Sequence, residues 1–548
     1  MASASRTTAS AGAGLVLLTL ASGQFLMMLD SSVMNVSIAT VAEDVGTTVT
    51  GIQVAITLYL LVMATMMITG GKIGTMIGRR KAFSIGCVVY GTGSLITALA
   101  PNVTVLYLGW SILEGLGAAL IMPAIVGLIA TNFPREERPR AYGLVAAAGA
   151  IAVAAGPLIG GFMTTYYSWR WVFAGEVVLV FAILILGRRI KDAPAGGGTK
   201  FDVVGAVLWA VGLGMGVFGV LQSGAWGWVS PKPDAPTLLG LSAVTWLLIG
   251  SAVVLRVFMA WEGRVLAKGE EPLIRFSMLK NVQLQGGLAI FFFQFLVQAG
   301  MFFVVPLFLS VALGLSAFET GVRLLPLSLA VLLSAVGVPK LYPHASPRRV
   351  VQVGLLGMSA GLIVLMGALE VGAGPEIVTL PFVLVGLGIG ALSSQLGAVT
   401  VSALPDEMSG EVGGLQNTMT NLGASLGTAL AGSLLIGALT ASFLSGIAQN
   451  PAVPASVVSQ AETQLVGGAP FVSDAQLQDA LDAANVPPEA ASAIVDENEA
   501  ARIDALRSSL FVLTLFALVA LFFTRRIPAG PAGAAAAAAP DRARPQPG

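Results

Sequence analysis

The sequence predicts an all-α membrane protein that crosses the bilayer many times. Three observations predict this class: hydrophobic residues make up 55% of the chain, charged residues make up only 11%, and about fourteen apolar segments are each long enough to span. A soluble domain usually carries about 25% charged residues. The 66 glycines and 28 prolines fall largely inside the apolar segments, which predicts closely packed and kinked helices.

The first predicted helix runs from Gly14 to about Ile38, after a short polar segment. Its apolar run is too long for a signal peptide and has no convincing cleavage site, so we expect it to remain as a span. Seven more spans are expected near 50–71, 82–100, 103–132, 140–166, 171–188, 203–222 and 237–260. Six others are expected near 284–310, 320–340, 350–370, 377–403, 412–445 and 508–525.

A weak internal repeat divides these helices into two related halves. The expected loop after the second helix, Gly71–Lys81, and the expected loop after the tenth, Gly337–Arg349, both begin with glycine and end near paired arginines. We expect an N-terminal six-helix half in 1–200, two inserted helices and a cytoplasmic linker in 201–280, and a C-terminal six-helix half in 281–526. Residues 446–507 are expected to form an external loop with short helical pieces, and 527–548 a disordered cytoplasmic tail.

Charge and composition narrow the location and the partners. Most positive charges fall on one side if both termini are cytoplasmic, so we expect a multi-pass protein of the cell membrane, plasma or inner, in that orientation. The zero net charge argues against a nucleic-acid partner. With a single cysteine, Cys87, and a single histidine, His344, neither an intrachain disulfide nor a Cys/His zinc site is possible. We expect no metal, no cofactor and a monomer.

The segment Ala146–Gly161 stands out because it consists mostly of small residues. Ala148, Ala152, Gly156 and Gly160 recur every four residues and predict one helix face that another backbone can approach closely. Pro157 removes a backbone donor, and the carbonyl that it frees must bond to protein or water. The segment is interpreted either as a moving contact or as a static close-packed helix.

Five motifs together resemble the Major Facilitator Superfamily, and specifically its fourteen-helix drug:proton antiporters. They are LDSSVMNVSI (29–38), GKIGTMIGRRK (71–81), GWSILEGLGAALIMPA (109–124), GPLIGG (156–161) and SWRWVF (168–173). The resemblance implies two halves that rock around a central site, and its Gly-Pro motif marks exporters more than importers. The gating and packing positions that it implies are Gly71, Gly78, Arg79, Arg80, Ala152, Gly156, Pro157, Gly160 and Gly161.

The chain departs from this family's usual pattern at four positions. Thr75 stands where an acid is usual in the loop motif GKIGTMIGRRK (71–81). We expect its hydroxyl to cap a helix N-terminus, but less strongly than a carboxylate would. Ser111 stands where an arginine is usual, and Glu114 where a glutamine is common. Glu176 replaces a more usual asparagine. The family's proton pathway therefore cannot be carried over whole.

Ionisable side chains inside apolar spans are costly and are functional by default. On this ground Asp30 and Glu114 are the predicted proton-coupling residues, each expected to face the N-terminal side of the cavity. The alternative for both is a structural carboxylate that bonds to a neighbouring helix. Glu176 and Arg170 are expected near the outer surface, where a simple ion pair between them is an equally good interpretation.

The predicted substrate surface mixes aromatic rings with amides at helical spacing, which suits flat amphipathic molecules. Its residues are Phe291, Gln294, Phe295, Gln298, Phe302, Gln395, Asn417 and Asn421. In the alternative interpretation the aromatic rings pack against lipid and the amides bond across helices.

These patterns predict a proton-coupled exporter of hydrophobic, often cationic, drugs or metabolites by alternating access. Its partners would be the small-molecule substrate, protons and the lipid bilayer. Alternatives are an exporter of lipid or siderophore-like products, or, from a different class, a passive channel or a membrane-embedded sensor. The sequence contains no GxxxxGK[ST] loop for ATP and no nucleophile-base pair, so we expect no enzyme activity.

Overall fold

The protein is a bundle of long α-helices in the computed structural model. The residues described are 2–134, 137–192, 201–233, 235–342, 344–404, 408–465, 468–484 and 486–530. The N-terminal half contains α1 (Ala2–Asp44), α2 (Val49–Ile77), α3 (Arg79–Ala98), α4 (Val103–Asn132), α5 (Arg138–Tyr166) and α6 (Arg170–Gly187). The inserted helices are α7 (Val203–Trp226) and α8 (Ala243–Ala267), separated by the short strands β1 (Thr237–Leu238) and β2 (Leu241–Ser242).

The C-terminal half follows a linker that contains a short 3-10 helix, Phe276–Lys280. Its spanning helices are α9 (Val282–Ala312), α10 (Ala317–Leu341), α11 (Pro347–Ala368), α12 (Thr379–Val401), α13 (Ser409–Gln449) and α16 (Pro488–Phe523). Between the last two lie α14 (Ala455–Gln464) and α15 (Asp474–Ala483). The all-α fold with two six-helix halves and two inserted helices is confirmed.

Thirteen helices in the described part of the chain are long and apolar enough to cross a membrane. The helix α3 falls short of that hydropathy because it begins with Arg79, Arg80 and Lys81 and contains glycine, threonine and serine. It is nevertheless 20 residues long and packs against α4 and α6 like the other members of its half. Fourteen helices are therefore consistent with the fold.

The bundle has two ends, which are named here by the turns that they carry. The distal end carries the turn 45–48 between α1 and α2, and the proximal end carries the turn at Gly78 between α2 and α3. Gly78 has φ +99°, a conformation that glycine adopts most readily. The expectation of a loop over 71–81 is wrong, because α2 continues through Ile77 and Gly78 alone makes the turn.

Three helix starts also differ from the predicted ones. The helix α1 begins at Ala2 rather than at Gly14, so it includes the polar segment expected to precede it. The helix α8 begins at Ala243, after the β1–β2 hairpin, rather than near 237. The helix α16 begins at Pro488 rather than near 508, because its polar first part is anchored by the buried side chains of Ile494 and Ile503. The predicted short helix within 446–507 is confirmed as α15. Of the predicted tail, residues 531–548 lie outside the described residues.

The two inserted helices pack beside the interface between the two halves. The helix α7 contacts α8, α13 and α2. The hydroxyls of Ser223 on α7 and Ser433 on α13 are 2.7 Å apart and hydrogen-bonded. Lys72 of α2 donates to the backbone carbonyls of Glu271 and Pro272 in the following linker, at 2.6 and 2.9 Å. The insert is thus joined to both halves.

Candidate functional site

Asp30 lies fully buried on α1, in the interior of the N-terminal half. Its Oδ1 accepts a hydrogen bond of 2.8 Å from the indole Nε1 of Trp110 on α4. The Trp110 ring stacks on Tyr59 of α2, with centroids 5.1 Å and planes 5° apart. Stacked rings in a packed core move little, so they hold one oxygen of Asp30 in place. The other oxygen, Oδ2, has no hydrogen-bond partner among the described residues.

Glu114 is fully buried at the end of an irregular stretch of α4. Residues Tyr107–Glu114 form π-helical turns, a geometry that is rare and often found at functional sites. Oε1 of Glu114 accepts a hydrogen bond of 3.1 Å from the Thr97 hydroxyl of α3. Its Oε2 lacks a partner within the described part of the chain. Ser111, at the position where the family usually has arginine, donates to the carbonyl of Ala55 at 2.8 Å.

Glu176 joins these two residues from α6, with only 2% of its surface exposed. Its Oε2 accepts hydrogen bonds from the Tyr90 hydroxyl at 3.2 Å and the Ser94 hydroxyl at 3.1 Å. The alternative interpretation, in which Glu176 pairs with Arg170, is wrong. Arg170 instead pairs with Asp44 at the end of α1, because it lies at the distal end of α6 while Glu176 points inward.

The three carboxyls form one group, the acid cluster of Asp30, Glu114 and Glu176. One oxygen of each lies within 4.8 Å of the others. No ion pair between described residues includes any of the three. Three negative charges this close in a low-dielectric interior repel strongly, so the cluster requires bound protons or cations. Asp30 and Glu114 are both fully buried, and the hydrogen-bond partners of their carboxyls lie on helices of the N-terminal half.

The small-residue face of α5 packs on α1. A side chain added at Gly156 would collide with Ser32, and one added at Gly160 would collide with Val33. Ala152 on the same face is fully buried. The carbonyl of Val153, four residues before Pro157, accepts the Ser32 hydroxyl at 3.5 Å. The predicted need for a partner at this carbonyl is therefore met by α1.

The GPLIGG motif (156–161) of α5 also contacts the C-terminal half. An added Cβ at Gly161 would collide with the backbone of Ala317 on α10, and one at Gly321 would collide with the carbonyl of Pro157. The backbone N–H of Phe318 donates to the Thr165 hydroxyl at 3.0 Å. We call this contact between α5 and α10 the first seam. It lies toward the distal end, where α5 ends and α10 begins.

A second seam joins α2 to α13. The amide Nε2 of Gln53, which is 2% exposed, donates to the carbonyls of Thr428 and Ala429 at 3.2 and 3.1 Å. The hydroxyl of Ser425 donates to the carbonyl of Thr57 at 2.9 Å. Gln53 and Thr57 lie in the first turns of α2, near the distal end. The direct hydrogen bonds between halves in the described residues are thus concentrated at that end.

At the proximal end, the motif around Gly78 contacts α4 and the segment after α6. Gly71 lies against Pro123, and the Arg79 side chain lies against Gly127. The backbone N–H of Arg80 donates to Oδ1 of Asp192 at 3.0 Å.

The expected cap by Thr75 is wrong. Its hydroxyl donates to the carbonyl of Lys72 in its own helix at 2.7 Å, because α2 continues beyond this position. Asp192, which sequence reasoning did not single out, supplies the carboxylate at the start of α3. Its only signal in the sequence was an acid four residues after the end of the predicted span 171–188.

The predicted substrate residues lie on α9, α12 and α13 of the C-terminal half. Phe291 and Phe295 stack with ring centroids 6.5 Å apart. The amide oxygens Oε1 of Gln294 and Gln298 are buried and have no hydrogen-bond partner among the described residues. Phe302, on the same helix, is partly buried and packs against the hydrophobic core. Unpaired amide oxygens on this stripe remain available to a ligand.

The remaining amide side chains of the predicted substrate surface differ in their hydrogen bonding. Gln395 and Asn417 are half-buried. Asn421 donates to the carbonyl of Asn417 in the same helix, at 2.9 Å. The helix α13 approaches α9 closely, since Gly423 and Gly427 lie against the carbonyls of Phe292 and Leu296.

Sequence reasoning missed Glu176 as a partner of Asp30 and Glu114. The signal was present, since Glu176 is an acid inside an apolar run, but the nearby Arg170 favoured a surface pair. Tyr59 and Trp110 carried no separate signal, because aromatic residues in apolar spans are common core residues.

Comparison with known proteins assigns the family. The model of the Major Facilitator Superfamily matches residues 20–428. The chain belongs to the Major Facilitator Superfamily. The resemblance drawn from the five motifs is confirmed, and membership makes this chain a multi-pass membrane transporter.

The curated relatives in this superfamily include antibiotic resistance proteins. The "Tetracenomycin C resistance and export protein" of Streptomyces glaucescens is 32% identical over 421 residues, which cover 76% of this chain and 75% of that protein. The "Puromycin resistance protein pur8" of Streptomyces alboniger is 29% identical, over 80% of this chain and 84% of that protein. The "Multidrug resistance protein Stp" of Mycobacterium tuberculosis is 25% identical, over 78% and 76%.

Solved structures agree on the fold. A bacterial homologue of the human lysosomal transporter Spinster, inward-facing and unoccupied, has a TM-score of 0.61 and 14% identity, over 94% of this chain and 97% of that one. The D-xylose-proton symporter has a TM-score of 0.53 and 15% identity, over 76% and 88%. At these identities the likeness concerns the fold alone.

Proposed function

We propose that this protein is a proton-coupled exporter of hydrophobic, often cationic, drugs or metabolites, working by alternating access. The acid cluster carries the proposal. It is a group of three buried carboxyls with unpaired oxygens, and no described ion pair neutralises it. The relatives' roles in resistance and export support the direction of transport.

Proton coupling follows from the chemistry of the cluster. Carboxyl oxygens without partners take up a proton readily when the charged form is desolvated and repelled by its neighbours. Asp30 and Glu114 are the proposed proton carriers, and Glu176 is added to them because its carboxyl shares their site. A change in the number of bound protons alters the packing of α1, α3, α4 and α6, the helices on which these groups and their partners lie.

Alternating access follows from where the halves touch. The two seams hold the distal end together through small residues and a few hydrogen bonds, and these are the contacts that opening toward the outside would separate. With both termini placed in the cytoplasm, the distal end faces outward and the structure is closed to the outside. The α9 stripe of phenylalanines and glutamines provides the proposed substrate surface on the opposite half.

The test is dye efflux from cells and dye uptake into everted membrane vesicles that contain this protein. Vesicles energised by respiration should accumulate a cationic dye, and an uncoupler should abolish the accumulation because it removes the proton gradient. Vesicles from the same host without the protein are the control. Dye movement that is unaffected by the uncoupler would indicate a passive channel and would overturn the proposal.

A further inference from the structure

The acid cluster offers only oxygen ligands, and one oxygen of each carboxyl has no hydrogen-bond partner among the described residues: Oδ2 of Asp30, Oε2 of Glu114 and Oε1 of Glu176. The hydroxyl of Tyr59, which lies beside the Asp30 carboxyl, likewise has no hydrogen-bond partner in the described part of the chain. Tyr59 is 1% exposed, and the three acids are 0–2% exposed. An unpaired buried hydroxyl is costly, so a structure that keeps one beside three carboxyls indicates a ligand that uses it.

We propose that the acid cluster binds one small alkali cation, of the size of Na⁺, in competition with protons. The inference rests on the proposed role of the cluster as the ion-coupling site, and it widens the set of coupling ions. Neither a cysteine nor a histidine takes part, so the site differs from the zinc sites that the composition excludes.

The spacing of the carboxyl oxygens is short enough for one small ion to bridge any two of them, which a shared site requires. Two oxygens that both contact one ion at about 2.4 Å lie no more than about 4.8 Å apart. One oxygen from each carboxyl meets that limit with respect to both of the others. Calcium binds oxygen at about 2.3–2.6 Å, and Na⁺ has nearly the same radius. Mg²⁺ prefers shorter octahedral contacts and retains several waters, which suits this fully buried site poorly.

The charge of the site favours a monovalent ion. The Born cost of bringing an ion into a low-dielectric interior rises with the square of its charge, so a divalent cation pays about four times as much as Na⁺. A single Na⁺ with two retained protons would leave the cluster neutral. Hard oxygen donors also suit an alkali cation better than a transition metal.

Protons and the cation compete for the same oxygens. The titratable groups that face the cluster are Asp30 from α1, Tyr59 from α2, Tyr90 from α3, Glu114 from α4 and Glu176 from α6. Each proton bound removes one negative charge from the carboxyls that would hold the ion, although a protonated carboxyl still offers its carbonyl oxygen. A cation at the centre would instead contact one oxygen of each carboxyl, with the Tyr59 hydroxyl beside Asp30 as the proposed fourth ligand. Binding of Na⁺ should therefore strengthen as the pH rises.

The experiment measures binding of radioactive ²²Na⁺ to the purified full-length protein by scintillation proximity, at about pH 8.5 and about pH 6. We expect saturable binding of about one Na⁺ per chain at the higher pH, weakened at least roughly ten-fold at the lower pH. Unlabelled Na⁺ and Li⁺ should displace the label, and K⁺ should displace it poorly. The absence of saturable binding at both pH values would overturn the proposal.

Two variants and one matched control separate binding from folding. Glu176→Gln should weaken Na⁺ binding by roughly ten-fold or more, because it removes one charged ligand. Tyr59→Phe keeps the stacking on Trp110 and should weaken binding by a smaller factor. Glu262→Gln changes another buried glutamate, on α8 and outside the cluster, and should leave binding unchanged. Equal losses in Glu176→Gln and Glu262→Gln would contradict the proposal.

The outcome can be separated from that of the proposed function. Dye accumulation in everted vesicles is measured in Na⁺-free buffer with the same protein. Uncoupler-sensitive accumulation without any ²²Na⁺ binding would refute the cation site and leave proton-coupled export standing. Saturable ²²Na⁺ binding without uncoupler-sensitive accumulation would support the site and refute proton coupling.

Discussion

The hydrogen bonds of Gln53 across the second seam should help to keep the distal end closed. Its amide donates to two backbone carbonyls of α13, and the side chain is almost fully buried. Each such bond contributes about 1 kcal/mol, so Gln53→Ala should weaken the distal-closed state by about 2 kcal/mol. That free energy corresponds to a shift of roughly 30-fold in the ratio of distal-closed to distal-open molecules.

The assay is a spin-label distance measurement across the distal end. The lone Cys87 is buried and is first replaced by alanine. Labels are then placed at Thr50→Cys on α2 and Val371→Cys after α11, two exposed positions in opposite halves. The variant Gln53→Ala should show a larger population of long distances than its parent in the same lipid nanodiscs.

A second glutamine provides the matched control. Gln283 donates to the carbonyl of Val399 at 2.7 Å, and both residues lie within the C-terminal half. Gln283→Ala removes a similar bond without touching either seam, so the distance distribution should stay as in the parent. The reasoning is refuted if Gln53→Ala and its parent give the same distribution, or if Gln283→Ala shifts it equally.

Three further predictions concern transport. Asp30→Asn should abolish uncoupler-sensitive efflux while the protein still reaches the membrane, because it removes the carboxyl held by Trp110; normal efflux rates, with membrane levels checked by immunoblot, would contradict this. Gly156→Leu should be well expressed but inactive, since the new side chain collides with Ser32, and normal efflux would show that the face is not a moving contact. Glu114→Gln should reduce efflux of cationic dyes more than of neutral ones and flatten its dependence on pH between about 6 and 8; equal losses for both dye classes would indicate a structural role.

Hydropathy alone was sufficient to predict the class of this protein and most of its helices. Apolar runs of spanning length have few other stable structures in a bilayer, so their number and approximate ends follow from composition. The small-residue spacing of α5 likewise predicted a packing face, because spacing along a helix maps directly onto one side of it. Boundaries failed where local chemistry ran against hydropathy, as in the polar first part of α16.

Tertiary structure decided which polar groups meet. Glu176 lies far along the chain from Asp30, and only the packing of α6 beside α1 and α3 brings its carboxyl into the same site. The π-helical turns of α4, which end at Glu114, and the contact of Asp192 with the start of α3 also depend on neighbouring helices. A sequence shows that a buried carboxyl needs a partner, but the partner comes from another helix whose rotation and depth are set by packing over the whole bundle.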